Sequence, residues 1–244
     1  MLSGRAGDYA GRVTAPESRP QVAPHIRTFH PRRGRIGATR ADALARLWPQ
    51  RGYDIDPAAA PVDAAALFGR EAPLVLEIGC GMGDAAAAMA AADRERDYLG
   101  VDVHTPGLAN LLALAERDGL DNVRAARGDA VELLRDLMKP DSLDAVHVFF
   151  PDPWPKARHH KRRIVRPDVV ALIRGRLVPG GLLRCATDWA PYAEQMLEVL
   201  GADPGLRNLH DGYAPRPDSR PATRFERRAL AAGRQVFDLV FAAV

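Results

Sequence analysis

At 244 residues and 47% hydrophobic, the chain is long enough for one α/β domain with a tail and too short for two comfortable domains. No apolar run approaches membrane-spanning length and the first twenty residues hold no apolar block of the secretory kind, so a cytoplasmic protein with no membrane partner is expected. The net charge of +3 is only mildly basic, and Cys80 and Cys185 lack metal-ligand spacing, so they are expected as buried, reduced thiols and no metal site is expected.

Charge is unevenly distributed. Between Met1 and Arg40 eight arginines (5, 12, 19, 27, 32, 33, 35 and 40) face only Asp8 and Glu17, with little aliphatic periodicity. Residues 1–40 therefore read as a basic, flexible arm, and 41–244 as a single domain. Lysine is scarce, at positions 139, 156 and 161, and two of the three fall in one short stretch.

From Arg40 onward, strand-like and helix-like segments alternate. The run 73–79 reads as a strand and 83–93 as a helix; 97–104 is a second strand, followed by a helix over 108–119 closed by Gly119. A third strand is expected over 122–130 with a helix at 131–138, then a fourth strand at 143–150. A helix over 166–181 ends in Pro-Gly-Gly, the fifth strand is 182–188, a helix spans 191–200, and 235–244 is a final strand. Such alternation implies right-handed crossovers and a doubly wound α/β fold around a mostly parallel sheet.

Ligands of these sheets bind at the carboxyl ends of the strands. The first strand is followed by Glu77-Ile-Gly-Cys-Gly-Met-Gly-Asp84, with glycines at 79, 81 and 83 that let a ligand approach the backbone. The spacing is G-x-G-x-G rather than the dinucleotide G-x-G-x-x-G, and a pyrophosphate here would face Glu77 and Asp84. A ligand with a positive or neutral centre fits better. Asp102 ends the second strand, where a carboxylate can accept from both hydroxyls of a ribose; Asp129 ends the third, beside an adenine edge. Together they suit S-adenosylmethionine, while capping of helices is the plain structural alternative.

The fourth strand runs into Phe149-Phe-Pro-Asp-Pro-Trp-Pro-Lys-Ala-Arg-His-His-Lys-Arg-Arg163. Pro151, Pro153 and Pro155 fix the backbone and remove three N–H donors, which holds Asp152 and Trp154 in a stiff turn across the crevice from the cofactor. The cations that follow can hold phosphates while the aromatic packs a base.

These residues carry a family resemblance. The chain resembles the bacterial-type tRNA (guanine-N7-)-methyltransferases through Leu76–Gly83, Pro151–Arg163, Thr187-Asp-Trp189 and Thr223–Arg228, and Arg27–Gly37 looks like that family's basic N-terminal motif. The resemblance implies a Rossmann-like, class I S-adenosylmethionine-dependent fold with seven strands, and transfer of a methyl group to N7 of a guanosine in the tRNA variable loop. It implies cofactor binding by Glu77, Gly79, Gly81, Gly83, Asp102, Asp129 and Asp152, with Asp152 also catalytic. Substrate binding is implied for Lys156, Asp188, Thr223, Arg224, Phe225 and Glu226, and RNA contact for Arg158, His159, His160, Lys161, Arg162 and Arg163. The chain departs from the family at Ala157, Arg224, Arg228 and Ala229. No obligate protein partner is inferred. A methyltransferase acting on an exocyclic amino group, and a non-enzymatic RNA-binding module, stay open as alternatives.

Overall fold

The computed structural model describes residues 26–29 and 36–244. Most of the expected arm, with Arg5, Arg12, Arg19, Arg32, Arg33 and Arg35, lies outside the described residues.

In chain order the elements are α1 (Ala38–Arg51), β1 (Gly52–Asp54), α2 (Ala64–Phe68), β2 (Leu74–Ile78), α3 (Asp84–Ala92), β3 (Asp97–Asp102), α4 (Thr105–Arg117), β4 (Val123–Arg127) and α5 (Ala130–Glu132). They continue with β5 (Leu143–Phe149), α6 (Pro167–Arg174), β6 (Leu177–Thr187), α7 (Ala190–Ala202), β7 (Leu206–Asn208), α8 (Arg224–Ala231) and β8 (Phe237–Ala243). The strands form one sheet in the order β1-β4-β3-β2-β5-β6-β8-β7. It is parallel except for β8, which runs antiparallel to both β6 and β7.

All five residues of β2 are buried, as expected of a central parallel strand covered on both faces. One face packs Ala43 and Leu47 of α1, Ala85, Ala86, Ala87 and Ala90 of α3 and Leu108, Leu111 and Leu112 of α4. The other packs Phe68, Leu133, Leu134, Val169, Val170, Tyr192 and Met196. After β2 the chain moves outward through β3 and β4, then returns to the far side of β2 as β5 and β6. The winding therefore reverses between β2 and β5, and the crevice at their carboxyl ends is where such a sheet holds its ligand.

Four differences from the sequence reading have local causes. The sheet has eight strands where the resemblance implied seven and the segment reading named six: β1 and β7, three residues each at opposite edges, are too short to show a pattern. The segment 166–181 is a helix only over Pro167–Arg174; Val178–Gly181 bulges within β6, whose register with β5 jumps from Leu143↔Leu177 to Ala145↔Leu182, with Gly180 at φ 78°. The helix expected at 131–138 starts as α5 and widens into a π turn over Leu133–Leu137. Helix α1 begins at Ala38, inside the stretch assigned to the arm, and pairs with α4 through the bidentate Arg46–Glu116 contact and the bond from Arg40 to Asn110.

Candidate active site

The turn after β2 is built from the neighbouring helix as much as from its own glycines. Gly83 has φ 76°, and a Cβ there would lie 2.5 Å from Leu111 Cβ; a Cβ on Gly107 would lie 1.7 Å from the Gly81 carbonyl oxygen. Close approach of α4 to this turn thus requires glycine on both sides. Asn110 donates to the Met82 carbonyl at 2.7 Å. Asp102 accepts from Gly81 N and His104 N, each at 2.8 Å, so the expected ribose acceptor also locks the turn in shape.

Glu77 sits in this crevice, 4% exposed, and its Oε2 has no hydrogen-bond partner among the described residues. Burial, reinforced by the charge of Asp102, pushes its carboxyl up to about 8. Asp129 caps α5, accepting from Val131 N at 2.9 Å, and is itself buried. His104, passed over in the sequence, follows Asp102 by two residues, and its Nδ1 is buried without a partner among the described residues. A buried carboxyl with an open acceptor position, beside a backbone turn free of side chains, fits a ligand that brings cationic and N–H donor groups, as S-adenosylmethionine does.

Across the crevice, β5 ends in a turn whose backbone is held under strain. Phe150 and Trp154, neither of them glycine, have φ of 50° and 46°. Phe150 N bonds the Ala186 carbonyl at 2.7 Å, tying the turn to β6. Asp152 is half-buried and lines a cavity of about 270 Å³ with Trp154, Lys156 and His159.

The aromatic of this turn departs from expectation. Trp154 is 3% exposed: its indole donates to the Thr28 carbonyl at 3.3 Å, Arg162 lies 4.9 Å above the ring and His159 meets its edge at 5.8 Å. It anchors the turn and residues 26–29 to each other and offers no open face to a base.

The basic run forms a short 3₁₀ helix, Ala157–Arg162, with Lys156, Arg158, Lys161 and Arg162 exposed and His159 and His160 half-buried. Arg163, grouped with them in the sequence, points the other way. It is 1% exposed, donates to the Pro153 carbonyl at 3.0 Å and to Gln195 Oε1, and lies 4.5 Å over Tyr192. It braces the turn from within and is absent from the surface an RNA would touch.

The C-terminal run divides in the same way. Thr223 caps α8 by accepting from Glu226 N at 3.1 Å, a T-x-x-E signature that could have revealed this helix in the sequence. Arg224 and Phe225 are exposed. Glu226 is buried and gripped by Arg216 (2.7 Å) and Arg220 (2.7 and 3.1 Å). Arg220 also holds Asp238 at 2.8 and 2.9 Å and lies over Phe149 and Phe150, so α8 and β8 are fastened to the base of the Asp152 turn. No motif in the sequence marked this arginine. Asp188, after β6, is paired with Arg234 at 2.8 Å. Among the described residues no group of three or more His, Cys, Asp or Glu is placed to hold a metal ion, and no helix is long and apolar enough to cross a membrane.

Fold and crevice together define a class I, S-adenosylmethionine-dependent methyltransferase. A family profile described as a putative methyltransferase matches residues 71–239. A tRNA (guanine-N(7)-)-methyltransferase of Streptomyces avermitilis is 57% identical over 218 residues, which cover 88% of this chain and 74% of that protein. One from Paraburkholderia xenovorans is 52% identical over 232 residues, covering 95% and 88%. The chain belongs to the tRNA (guanine-N7-)-methyltransferase family. Among solved structures, the 16S rRNA methyltransferase KamB superposes with a TM-score of 0.56 over 79% of this chain and 99% of that one; at 18% identity this likeness is one of fold.

Proposed function

We propose that this protein methylates N7 of a guanosine in the variable loop of tRNA, working in the cytoplasm without an obligate protein partner. The observation that carries the reading is the placement of Asp152 on a strained, proline-locked turn at the carboxyl end of β5, the neighbour of the β2 strand that carries Glu77. Bound S-adenosylmethionine supplies an electrophilic methyl group. Glu77, Asp102 and Asp129 hold it, with the backbone of Gly79, Gly81 and Gly83 leaving room for close approach.

Guanine N7 carries a lone pair and no proton, so the reaction needs no general base. Rate then comes from alignment and charge. Asp152 accepts from guanine N1–H and its exocyclic amine, aims N7 at the methyl group, and offsets the positive charge that grows on the ring. Adenine presents a different donor pattern on that edge and is rejected. The base is extruded to reach the cavity. Lys156, Arg158, His159, His160, Lys161 and Arg162 face the phosphates, with Arg224, Phe225, Thr223 and Asp188 flanking the entry; Arg163 and Glu226 act from inside by holding these segments in place.

The basic arm ahead of α1 draws RNA in by its phosphates, and the single domain that begins with α1 at Ala38 carries the catalysis. A chain beginning at Gly37, the residue that precedes α1, is expected to show a flatter dependence of log affinity on log salt; an unchanged slope denies the arm that role. Transfer of labelled methyl to tRNA transcripts containing guanosine or 7-deazaguanosine tests the acceptor atom, with label expected only in the first. Asp152→Asn is expected to lower kcat by about a hundredfold at saturating tRNA; turnover near that of the native chain would refute the electrostatic role.

A further inference from the structure

A second cavity, of about 330 Å³, lies on the α3 face of the sheet, toward the starts of β2, β3 and β5 and away from the Asp152 turn. Its floor is apolar, formed by Val75, Ala145 and Leu182 with Met89 of α3 above them. Nothing in the methyl-transfer reading uses it.

Its polar lining is unbalanced in one respect. Asp93 and Asp144 are both engaged by Arg96, each at 2.7 Å. Arg184, on the same wall, has no carboxylate within ion-pairing distance among the described residues. It makes one bond there, to Ser219 Oγ at 3.3 Å, and its Nε is buried without a partner. Beside it His147, paired with Arg184 in the β5–β6 register, is 3% exposed with Nδ1 also unpartnered among the described residues. Two neighbouring strands thus present a guanidinium and an imidazole to the same cavity, each with one buried nitrogen unpartnered among the described residues. Native interiors rarely leave such groups without a partner or a ligand. Burial and the adjacent Arg184 charge push His147 down to about 3, so the imidazole is neutral at physiological pH and the guanidinium carries the charge.

We propose that this cavity is a binding site for a small organic carboxylate, its carboxylate held by Arg184 with His147 and Ser219 alongside and its apolar body on Val75, Ala145, Leu182 and Met89. A single negative charge matches Arg184, the guanidinium of this lining that has no carboxylate partner among the described residues. A phosphate dianion would meet Asp93 and Asp144 with no second unpaired cation of the lining among the described residues to offset it. The cavity volume falls at the small end of ligand sites, which suits a body the size of one aromatic ring. This inference is independent of the proposed acceptor and of the cofactor crevice.

Calorimetric titration of the full chain with benzoate tests it. Saturable binding is expected, undisturbed by saturating S-adenosylhomocysteine, and weakened about tenfold or more in Arg184→Gln. Ser219→Trp, a change at an exposed position that leaves the core intact, is expected to block the cavity and abolish binding, which keeps the test decisive if Arg184→Gln does not fold. An isotherm that never saturates, displacement of benzoate by S-adenosylhomocysteine, or full binding by Ser219→Trp overturns the site. Phenyl phosphate binding as tightly as benzoate overturns the choice of a carboxylate.

Discussion

Glu77 and Glu226 are both buried, 4% and 1% exposed, yet their surroundings are opposites. Burial pushes the Glu226 carboxyl up, but bonds from Arg216 and Arg220 outweigh it and hold the group below its ordinary range. Asp238, which shares Arg220 and has no second arginine bonded to it among the described residues, stays above its ordinary range because burial wins there. At Glu77 no cation among the described residues answers, and burial together with Asp102 drives the carboxyl up to about 8. A buried carboxylate that serves the fold is paired within the chain; one that serves a ligand is left open, and stability is given up for it.

The contrast can be broken most severely at Arg220. Arg220→Ala leaves Glu226 and Asp238 as buried charges without their shared partner, at a cost of about 3–5 kcal/mol. Urea denaturation should show the midpoint collapse, and an unchanged midpoint would mean that the network carries no stability.

Glu77→Gln should act with the opposite sign. The folded-state pKa of Glu77 lies above the ordinary 4.5, so between about pH 4.5 and 8 the folded chain keeps a proton that the unfolded chain has released. The stability Glu77 contributes is complete below that window and is lost as pH rises through it. Without cofactor, the native chain is expected to melt several degrees below Glu77→Gln at pH 9 and close to it at pH 4. The same variant should bind S-adenosylmethionine more weakly. For Glu226 the linkage runs the other way, its contribution being lost only as pH falls below 4.5. Equal melting curves for Glu77→Gln and the native chain at pH 9 would remove the claim that this carboxyl waits for a ligand.

Thr223→Ala sharpens the comparison with the smallest effect. It removes the cap of α8 while leaving the Glu226 pairs in place, and should cost about 1 kcal/mol. A loss as large as that of Arg220→Ala would show that the cap and the ion network act as one unit.

Much of the candidate crevice was legible beforehand because its signals are local. The apolar runs of β2, β3, β5 and β6 announce buried strands, and Glu77, Asp102 and Asp152 fall where those strands end, so their convergence follows from the parallel order alone. The missed elements have weak local patterns. Strand β1 is three residues long and half-exposed, and α8 buries only Glu226 and Ala229 of its eight residues. Asp129 was read as a cofactor acid, with helix capping as its structural alternative, and the structure shows it capping α5.

By itself the sequence determined the alternation of strands and helices, the acids at the strand ends and the rigidity of the Asp152 turn, since apolar runs, glycine and proline act through their own backbone. Only the tertiary structure decided which members of each motif face outward. Trp154 is buried against Thr28, 126 residues away; Arg163 against Gln195, 32 residues on; Glu226 by an arginine that also holds Asp238, 18 residues further along. Whether a charge or a ring can be buried depends on partners distant in the chain, and no short motif records where those partners will lie.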